Sequence, residues 1–378
     1  MSSLQVGPIK NFCLGIYDGP HATPKESDEG PIYLGIKNVT PQGNLDFSEI
    51  KHVSEQEFPK WTRRVLPQRN DIVFSYEATL HRYALIPEGF RGCLGRRMAL
   101  VRPNPKKVNP RFLHYYFLTP FWRAVVEAHI ISGATVDRIP LKKFPDFEVR
   151  LPSLDTQQYI ASILSAYDDL IEKNRRRIHL LEQAARLLYK EWFIHLRFPG
   201  YEHAKIIDGV PEGWGKKPLG DVAPLCYGKA LNKDRRTPGP FPVYGSSGII
   251  GSHVKSFVSG PTIIVGRKGN VGSVFWSSDD CHPIDTVYYI ETTNCSLHLY
   301  YALQHMSFIS TDVAVPGLNR DFAHSRFVLV PEWKLYQLFD SKVRPLHQQI
   351  DVLRKTNSVL WKARDLLLPH LMNGEIAV

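Results

Sequence analysis

The sequence of 378 residues has few cysteines and no motif that pairs them. The five cysteines, at positions 13, 93, 226, 281 and 295, form an odd and widely spaced set without a CxxC pair. Such a set predicts unpaired thiols in a reducing compartment and fits no standard zinc site. The first residues contain no apolar segment of a secretion signal, and no apolar run has membrane-spanning length. These absences predict a cytoplasmic protein without a membrane segment.

Signatures of catalytic centres are also missing. The chain has no HExxH, no GxSxG, no GxGxxG after a strand and no Asn/Asp-Pro-Pro-aromatic signature of DNA-amino methylation. The stretch GRKGNVGS at 266–273 lacks the Lys-Ser/Thr pair of a phosphate loop. The acidic residues of PDFEVR at 145–150 lie together, whereas two-metal nucleases need carboxylates from separate strands. We therefore predict a non-catalytic chain with no metal and no cofactor of its own.

Acidic residues are too few to balance the basic ones. The chain has 47 Lys and Arg against 37 Asp and Glu, a formal net charge of +10, and residues 1–150 hold 21 of the basic residues against 15 of the acidic ones. This excess indicates a polyanionic partner such as nucleic acid. Basic residues scattered over a solvated surface explain the excess as well, so charge alone does not decide.

Proline and glycine are absent from residues 160–192, where apolar residues alternate steps of four and three. This spacing predicts a helix with a seam for a partner helix, about 50 Å long at about 1.5 Å per residue. The same alternation recurs 179 residues later, from Phe339 to Leu371, with Asn174, Asn357 and Arg364 among the seam positions. The predicted packing positions are Ile160, Leu164, Tyr167, Ile171, Ile178, Leu181, Leu188, Val343, Leu346, Ile350, Leu353, Leu360 and Leu367. The two asparagines either set the register of the helix pair or lie solvated at its edge.

The offset of 179 residues also aligns flanking segments, which indicates a duplicated unit of one variable domain followed by one long helix. We expect an α+β fold: two similar globular domains separated by a long antiparallel two-helix coiled coil, as a pseudo-twofold internal repeat. The expected boundaries are 1–153 and 199–332 for the globular domains, with helices in 154–198 and 333–378. One further helix is predicted from about residue 110 to 129, interrupted at Pro120.

Loops of the two globular domains carry basic and polar residues beside glycines, which let a backbone approach phosphates or a DNA groove. A merely solvated loop is the alternative for each of them. The candidate DNA-binding residues are Arg96, Arg97, Tyr244, Ser246, Ser247, Arg267, Lys268, Asn319 and Arg320.

Several stretches together resemble the specificity subunits of type I restriction-modification systems. They are GCLGRRMALVRP at 92–103, LPSLDTQQYIASILSAYDDLIEKN at 151–174, LEQAARLLYKEWF at 181–193, FPVYGSSGIIG at 241–251, IIVGRKGNVGSV at 263–274 and RDLLLPHLMNGEI at 364–376. The resemblance implies two target-recognition domains that each read half of a bipartite DNA sequence. It also implies a helix pair that spaces them and carries two modification subunits, which bind S-adenosylmethionine. Restriction subunits that use ATP and Mg²⁺ are the other implied partners.

Two other interpretations stay open at this stage. A self-contained nuclease or methyltransferase would bind S-adenosylmethionine or cleave DNA without partners. A coiled-coil adaptor without a DNA role would bind duplexes no differently after loss of the basic loop residues. The sequence does not identify the bases that are read, because it does not give the conformation of the loops.

Overall fold

A computed structural model describes residues 4–132, 136–308 and 317–376. The chain divides into two units: unit 1 is Met1–Glu172 with Asn357–Val378, and unit 2 is Lys173–Thr356. Residues 1–3, 133–135, 309–316 and 377–378, which belong to the predicted domains, lie outside the described residues.

Unit 1 begins with a mixed globular part that contains strands β1–β9 and helices α1–α3. The strands are Gln5–Pro8, Cys13–Asp18, Ser27–Leu34, Lys51–His52, Ile72–Ser75, Tyr83–Leu85, Gly92–Leu94, Met98–Pro103 and Glu148–Leu151. The helices are Phe58–Trp61, Pro110–Phe117 and Pro120–Glu127. The predicted interruption at Pro120 is confirmed, because Thr119 caps α3 by accepting from the Trp122 N–H and Pro120 occupies the first helical turn. The long helix α4, Leu154–Tyr189, follows and crosses into unit 2.

Unit 2 continues with a π-helical turn at Lys190–Ile194 and then holds strands β10–β20. They are Ile206–Ile207, Val210–Pro211, Gly215–Pro218, Cys226–Tyr227, Phe241–Gly245, Gly248–His253, Thr262–Gly266, Val274–Ser277, His282–Pro283, Val287–Ile290 and Phe327–Val330. Its helices α5–α8 are Leu219–Val222, Leu297–His305, Arg320–His324 and Trp333–Met372, of which α8 crosses into unit 1.

The globular parts of the two units share one sheet topology. Unit 1 has a four-stranded antiparallel sheet in the order β2-β8-β5-β6 and a three-stranded sheet β4-β3-β7 whose pair β3–β7 is parallel. Unit 2 has the sheets β13-β19-β16-β17 and β15-β14-β18, in which β14–β18 is again the parallel pair. The pairs β1–β9 and β12–β20 also correspond. The strands correspond in chain order, so the predicted duplication in an α+β fold is confirmed.

Within each unit, segments of the long helices α4 and α8 run antiparallel. In unit 1, Ile160 and Leu164 share a core with Leu368 and Leu371, near the end of α8. In unit 2, Glu182 binds Arg354 at 2.7 Å, and further along α4 the ring centroid of Tyr189 lies 6.0 Å from that of Phe339, near the start of α8. A residue further along α4 therefore meets one earlier in α8.

The predicted seam positions face inward in both units. Ile160, Leu164, Ile171, Val343, Ile350 and Leu353 are buried, and the other seven are half-buried. Both asparagines are buried rather than solvated. In unit 1, the Asn357 amide donates to the backbone oxygen of Ile171 at 3.4 Å. An amide at a seam position that bonds to the facing backbone is a device that sets helix register.

Candidate nucleic-acid interface

The loop between β16 and β17 in unit 2 carries Arg267 and Lys268 and can form only with glycines. A Cβ atom on Gly266 would lie 2.1 Å from the backbone oxygen of Asn270, and Gly269 has a φ of +78°. Side chains other than hydrogen clash or are strained in these positions. The loop closes a hairpin, since β16 and β17 pair antiparallel.

Backbone hydrogen bonds fix the start of this loop on both sides. The N–H groups of Arg267 and Lys268 donate to the Thr286 oxygen at 2.9 and 3.1 Å. The Arg267 oxygen accepts from the N–H of Leu318 at 2.8 Å. The loop is therefore held between the segment before β19 and the segment before α7, which starts with Arg320. The tertiary fold thus brings Arg267, Lys268 and Arg320 together.

Two of these basic side chains meet on one tyrosine ring. The guanidinium carbon of Arg267 lies 4.9 Å from the ring centroid of Tyr227, and that of Arg320 lies 5.2 Å from it. Tyr227 ends β13 opposite Tyr288 of β19, whose hydroxyl donates to the Leu318 oxygen at 2.9 Å. The Tyr288 side chain is buried, and burial raises its pKa, so its hydroxyl stays protonated. Tyr227 itself remains 47% exposed.

The turn between β14 and β15 adds Ser246 and Ser247 to the same surface. The Ser273 hydroxyl donates to the Ser246 backbone oxygen at 2.6 Å, and the Asn270 amide donates to the Ser247 hydroxyl at 3.1 Å. The turn of one hairpin therefore rests on the loop of the next. We name this surface of unit 2, formed by Tyr227, Ser246, Ser247, Arg267, Lys268 and Arg320, the basic tip.

Two predicted contact residues have other roles in unit 2. The prediction for Tyr244 is wrong, because its side chain is 6% exposed and packs against Val258 and Ile264. β14 is the central strand of its sheet, between β15 and β18, and the adjacent residues Val243 and Tyr244 are both buried, so both faces of this strand are covered. Asn319 caps α7: its side-chain oxygen accepts from the N–H groups of Asp321 and Phe322 at 2.8 and 3.0 Å. The side-chain NH₂ of Asn319 remains available to a ligand.

In unit 1 the predicted pair Arg96 and Arg97 forms the turn between β7 and β8. Arg96 is exposed, and its N–H donates to the Tyr33 hydroxyl at 2.8 Å. Arg97 adopts a φ of +70° and forms an ion pair with Glu77 at 3.0 Å. Glu77 is the second residue after β5, the place that Lys268 takes after β16 in unit 2. The two units therefore present different charges at corresponding positions.

Sequence reasoning missed Tyr227 and, in unit 1, a cluster around Asp18. Asp18 binds Arg64 at 2.6 Å and His21 at 2.9 Å, and the other ring nitrogen of His21 lies 3.1 Å from the Tyr76 hydroxyl. For Tyr227, the neighbouring Lys229 was a usable signal, since nucleic-acid sites combine aromatic side chains with basic ones.

Among residues 4–132, 136–308 and 317–376, no cluster of His, Cys, Asp and Glu could hold a metal ion. Burial raises the pKa of the Cys93 and Cys281 thiols to about 12, which disfavours the thiolate that metal binding needs. In the part of the chain described here, no helix is both long and apolar enough to cross a membrane.

Comparisons with known proteins show what this chain is similar to. A family model described as type I restriction modification DNA specificity domain matches residues 28–183 and 211–320. The chain is 27% identical to the type I restriction enzyme MjaIX specificity subunit of Methanocaldococcus jannaschii, over 98% of this chain and 89% of that protein. It is 22% identical to the HindI specificity subunit of Haemophilus influenzae, over 74% of this chain and 80% of that protein.

A solved structure shares the fold. It is the crystal structure of a type I restriction-modification S subunit from M. genitalium, with a TM-score of 0.56, 19% identity and coverage of 98% of this chain and 96% of that chain. The fold likeness extends over both units.

Proposed function

Because this chain belongs to the type I restriction-modification DNA specificity family, we propose that it reads a bipartite DNA target and carries the subunits that act on the DNA. The family makes the chain a non-catalytic recognition subunit. In the proposal, residues 1–153 and 199–332 are two target-recognition domains, and each reads one half of the target. The duplicated topology with different charged residues at corresponding loop positions carries this proposal.

The basic tip of unit 2 is the proposed contact surface for one half-site. Lys268 is exposed and Arg267 half-buried, both beside glycines that let the backbone approach a phosphate. Ser246 and Ser247 offer polar groups that suit base edges. In unit 1, Arg96 and Arg97 are the proposed contact residues for the other half-site. A DNA-recognition role places the protein with the DNA, in the cytoplasm.

Replacing both Arg267 and Lys268 by alanine is expected to weaken binding to duplexes of any sequence. Each lost phosphate contact makes the slope of log affinity against log salt shallower by about one. Titrating a fluorescent duplex at several salt concentrations measures both effects. The control is Lys216→Ala with Lys217→Ala, which removes the same charge from exposed positions on β12, outside the tip. Equal loss in both variants, or none in the tip variant, would contradict the assignment.

Three exposed leucines and one exposed valine on the long helices support the carrier role. In unit 2, Leu180 and Leu187 are 62% and 61% exposed, and in unit 1 Val359 and Leu366 are 65% and 69% exposed. Each pair is spaced by seven residues, which places both members on one helix face. Each residue of the second pair lies 179 residues beyond its counterpart in the first. Apolar residues repeated on a solvated face mark interaction sites.

Two repeat-equivalent patches fit two copies of one partner. We propose that this partner is the modification subunit, which would bind S-adenosylmethionine and methylate adenine, and that restriction subunits would supply the chemistry that depends on ATP and Mg²⁺. No step of that chemistry belongs to residues of this chain.

The double variant Leu180→Glu with Leu187→Glu is expected to weaken binding of one of the two modification subunits by about a hundredfold. Two leucines that lose their burial against a partner forfeit about 3 kcal/mol or more. Co-purification and interferometry with the modification subunit measure the loss. The control, His179→Glu with Arg186→Glu, adds carboxylates at exposed positions one residue earlier, about 100° round the helix. Unchanged binding in the leucine variant would remove this surface from the proposal.

A further inference from the structure

Tyr227 is the centre of an arrangement that the family match does not explain. Its ring lies at the end of β13, half exposed, and has the guanidinium carbons of Arg267 and Arg320 at 4.9 and 5.2 Å from its centroid. A guanidinium attracted to a ring keeps N–H groups free for acceptors in its own plane. The ring therefore restricts both arginines without using up their donors.

Little negative charge lies close to Arg267 and Arg320. Among the described residues, no carboxylate lies within ion-pair distance of Arg267. The carboxylate nearest Arg320 is Asp321, at 4.0 Å and 89% exposed, which makes it a weak partner. Two like charges on one ring repel each other, and among the described residues Asp321 is the one carboxylate within ion-pair distance of either arginine. A ligand with acceptor atoms would stabilise the arrangement.

The two arginines differ in how tightly they are held. Arg267 is half-buried, lies 5.7 Å from the Tyr288 ring as well, and donates from Nη1 to the Asp285 oxygen at 3.2 Å. Its guanidinium plane therefore has a fixed direction. The Arg320 side chain is 43% exposed and stands at the first turn of the short helix α7. A guanidinium held in one direction can select one pattern of acceptors, whereas a loosely held guanidinium binds any phosphate.

We propose that Tyr227 is a positioning residue for sequence readout. Its ring fixes Arg267 so that the guanidinium reads the paired acceptors O6 and N7 of one guanine, and it holds Arg320 against a neighbouring phosphate. The guanine lies in the half-site bound by unit 2, so the inference rests on the proposed function. Phosphate also offers paired acceptors, and the experiment separates the two sources by base preference and salt dependence.

The test selects bound duplexes from a pool with randomised positions, using the full-length chain in complex with its modification subunits. Four variants are compared with the wild type: Tyr227→Phe, Tyr227→Leu, Arg267→Lys and the control Tyr201→Leu. Tyr201 is a matched control because it is 44% exposed in the same unit, outside the basic tip. Thermal unfolding of each variant checks that it is folded.

The wild type, Tyr227→Phe and Tyr201→Leu should enrich the same bipartite motif. Tyr227→Leu should reduce the preference for one guanine by about 5- to 150-fold, the worth of a bidentate contact, and leave the other half-site unchanged. Arg267→Lys keeps the positive charge but loses the paired planar donors of the guanidinium. It should therefore weaken the preference for guanine at the same position without changing the slope of log affinity against log salt. A retained guanine preference in Arg267→Lys would overturn the inference even if Tyr227→Leu does not fold.

Three results would overturn the inference. Uniformly weaker binding by Arg267→Lys, with every base preference retained, would assign the cluster to phosphate. Loss of the preference for guanine in Tyr227→Phe would show that readout depends on the hydroxyl rather than on the ring. Retention of the motif by Tyr227→Leu and Arg267→Lys would show that the cluster reads nothing. The proposed function survives all three, whereas a wild-type complex that enriches no motif would overturn the function and this inference together.

Discussion

Replacing Arg364 by alanine is expected to lower the free energy of unfolding by about 3 kcal/mol, the lower end for a broken buried ion pair. The Arg364 side chain is 3% exposed, and its Nη1 donates to Asp168 at 2.6 Å. The other oxygen of Asp168 accepts from the Tyr115 hydroxyl at 2.6 Å. The alanine variant leaves Asp168 without its cation beside this tyrosine. Because Asp168 is 24% exposed, water offsets part of the loss.

Urea unfolding of unit 1 measures the loss in the free energy of unfolding. Two further variants separate the causes of this loss. Arg111 and Asp169 form an exposed pair at 3.9 Å, so Arg111→Ala should cost less than about 0.5 kcal/mol. The double variant Arg364→Met with Asp168→Asn removes both charges and keeps an acceptor for Tyr115, so it should recover at least half of the loss. A loss in Arg364→Ala no greater than that in Arg111→Ala would show that the buried pair contributes little.

Acid is expected to destabilise the protein between pH 6.5 and pH 5, before most carboxylates are protonated. Burial lowers the pKa of His114, His298 and His347 to about 4, with the charge of Arg354 adding to the effect at His347. At His114 the nearby Asp168 opposes part of this lowering. The unfolded chain binds protons at these histidines near pH 6.5, while the folded chain does not. Stability therefore falls as the pH falls, by up to about 1.4 kcal/mol per pH unit for each histidine.

The urea midpoint at several pH values measures this dependence, and His347 offers a matched variant. Its Nε2 accepts from the Tyr301 hydroxyl at 2.7 Å, with the tautomer assigned from this bond. Glutamine can accept the same hydrogen bond but does not titrate, so His347→Gln should make the pH dependence of unit 2 shallower. A midpoint that stays constant from pH 6.5 to pH 5 in the wild type would contradict the assignment of these histidines as buried and neutral.

The long helices were predictable because their seams depend on local spacing. The steps of four and three predicted the inward positions, none of which is exposed in the structure. Arg364 fell on the same seam, but spacing could not reveal that Asp168 and Tyr115 would meet it there. Within the expected segments 154–198 and 333–378, α4 gives way to a π-helical turn at Lys190, and α8 begins at Trp333, six residues before the first seam position Phe339.

The candidate site was predicted in part. Glycine-flanked basic loops identified Arg267 and Lys268, and the structure places Ser246, Ser247 and Arg320 beside them. The error at Tyr244 arose because both faces of the central strand β14 are buried, and the sequence does not show which strand becomes central in a sheet. Tyr227 was missed because its importance comes from partners far away in the sequence.

The amino-acid sequence by itself determined the repeat, the helix seams, the α+β class and the family, because each depends on local composition or on spacing along the chain. Only the tertiary structure decided that β13, the loop after β16 and the start of α7 meet, so that two arginines share one tyrosine. The order of strands in a sheet sets which loop tips become neighbours, and that order depends on contacts between distant segments, which leave no periodic signal in the chain.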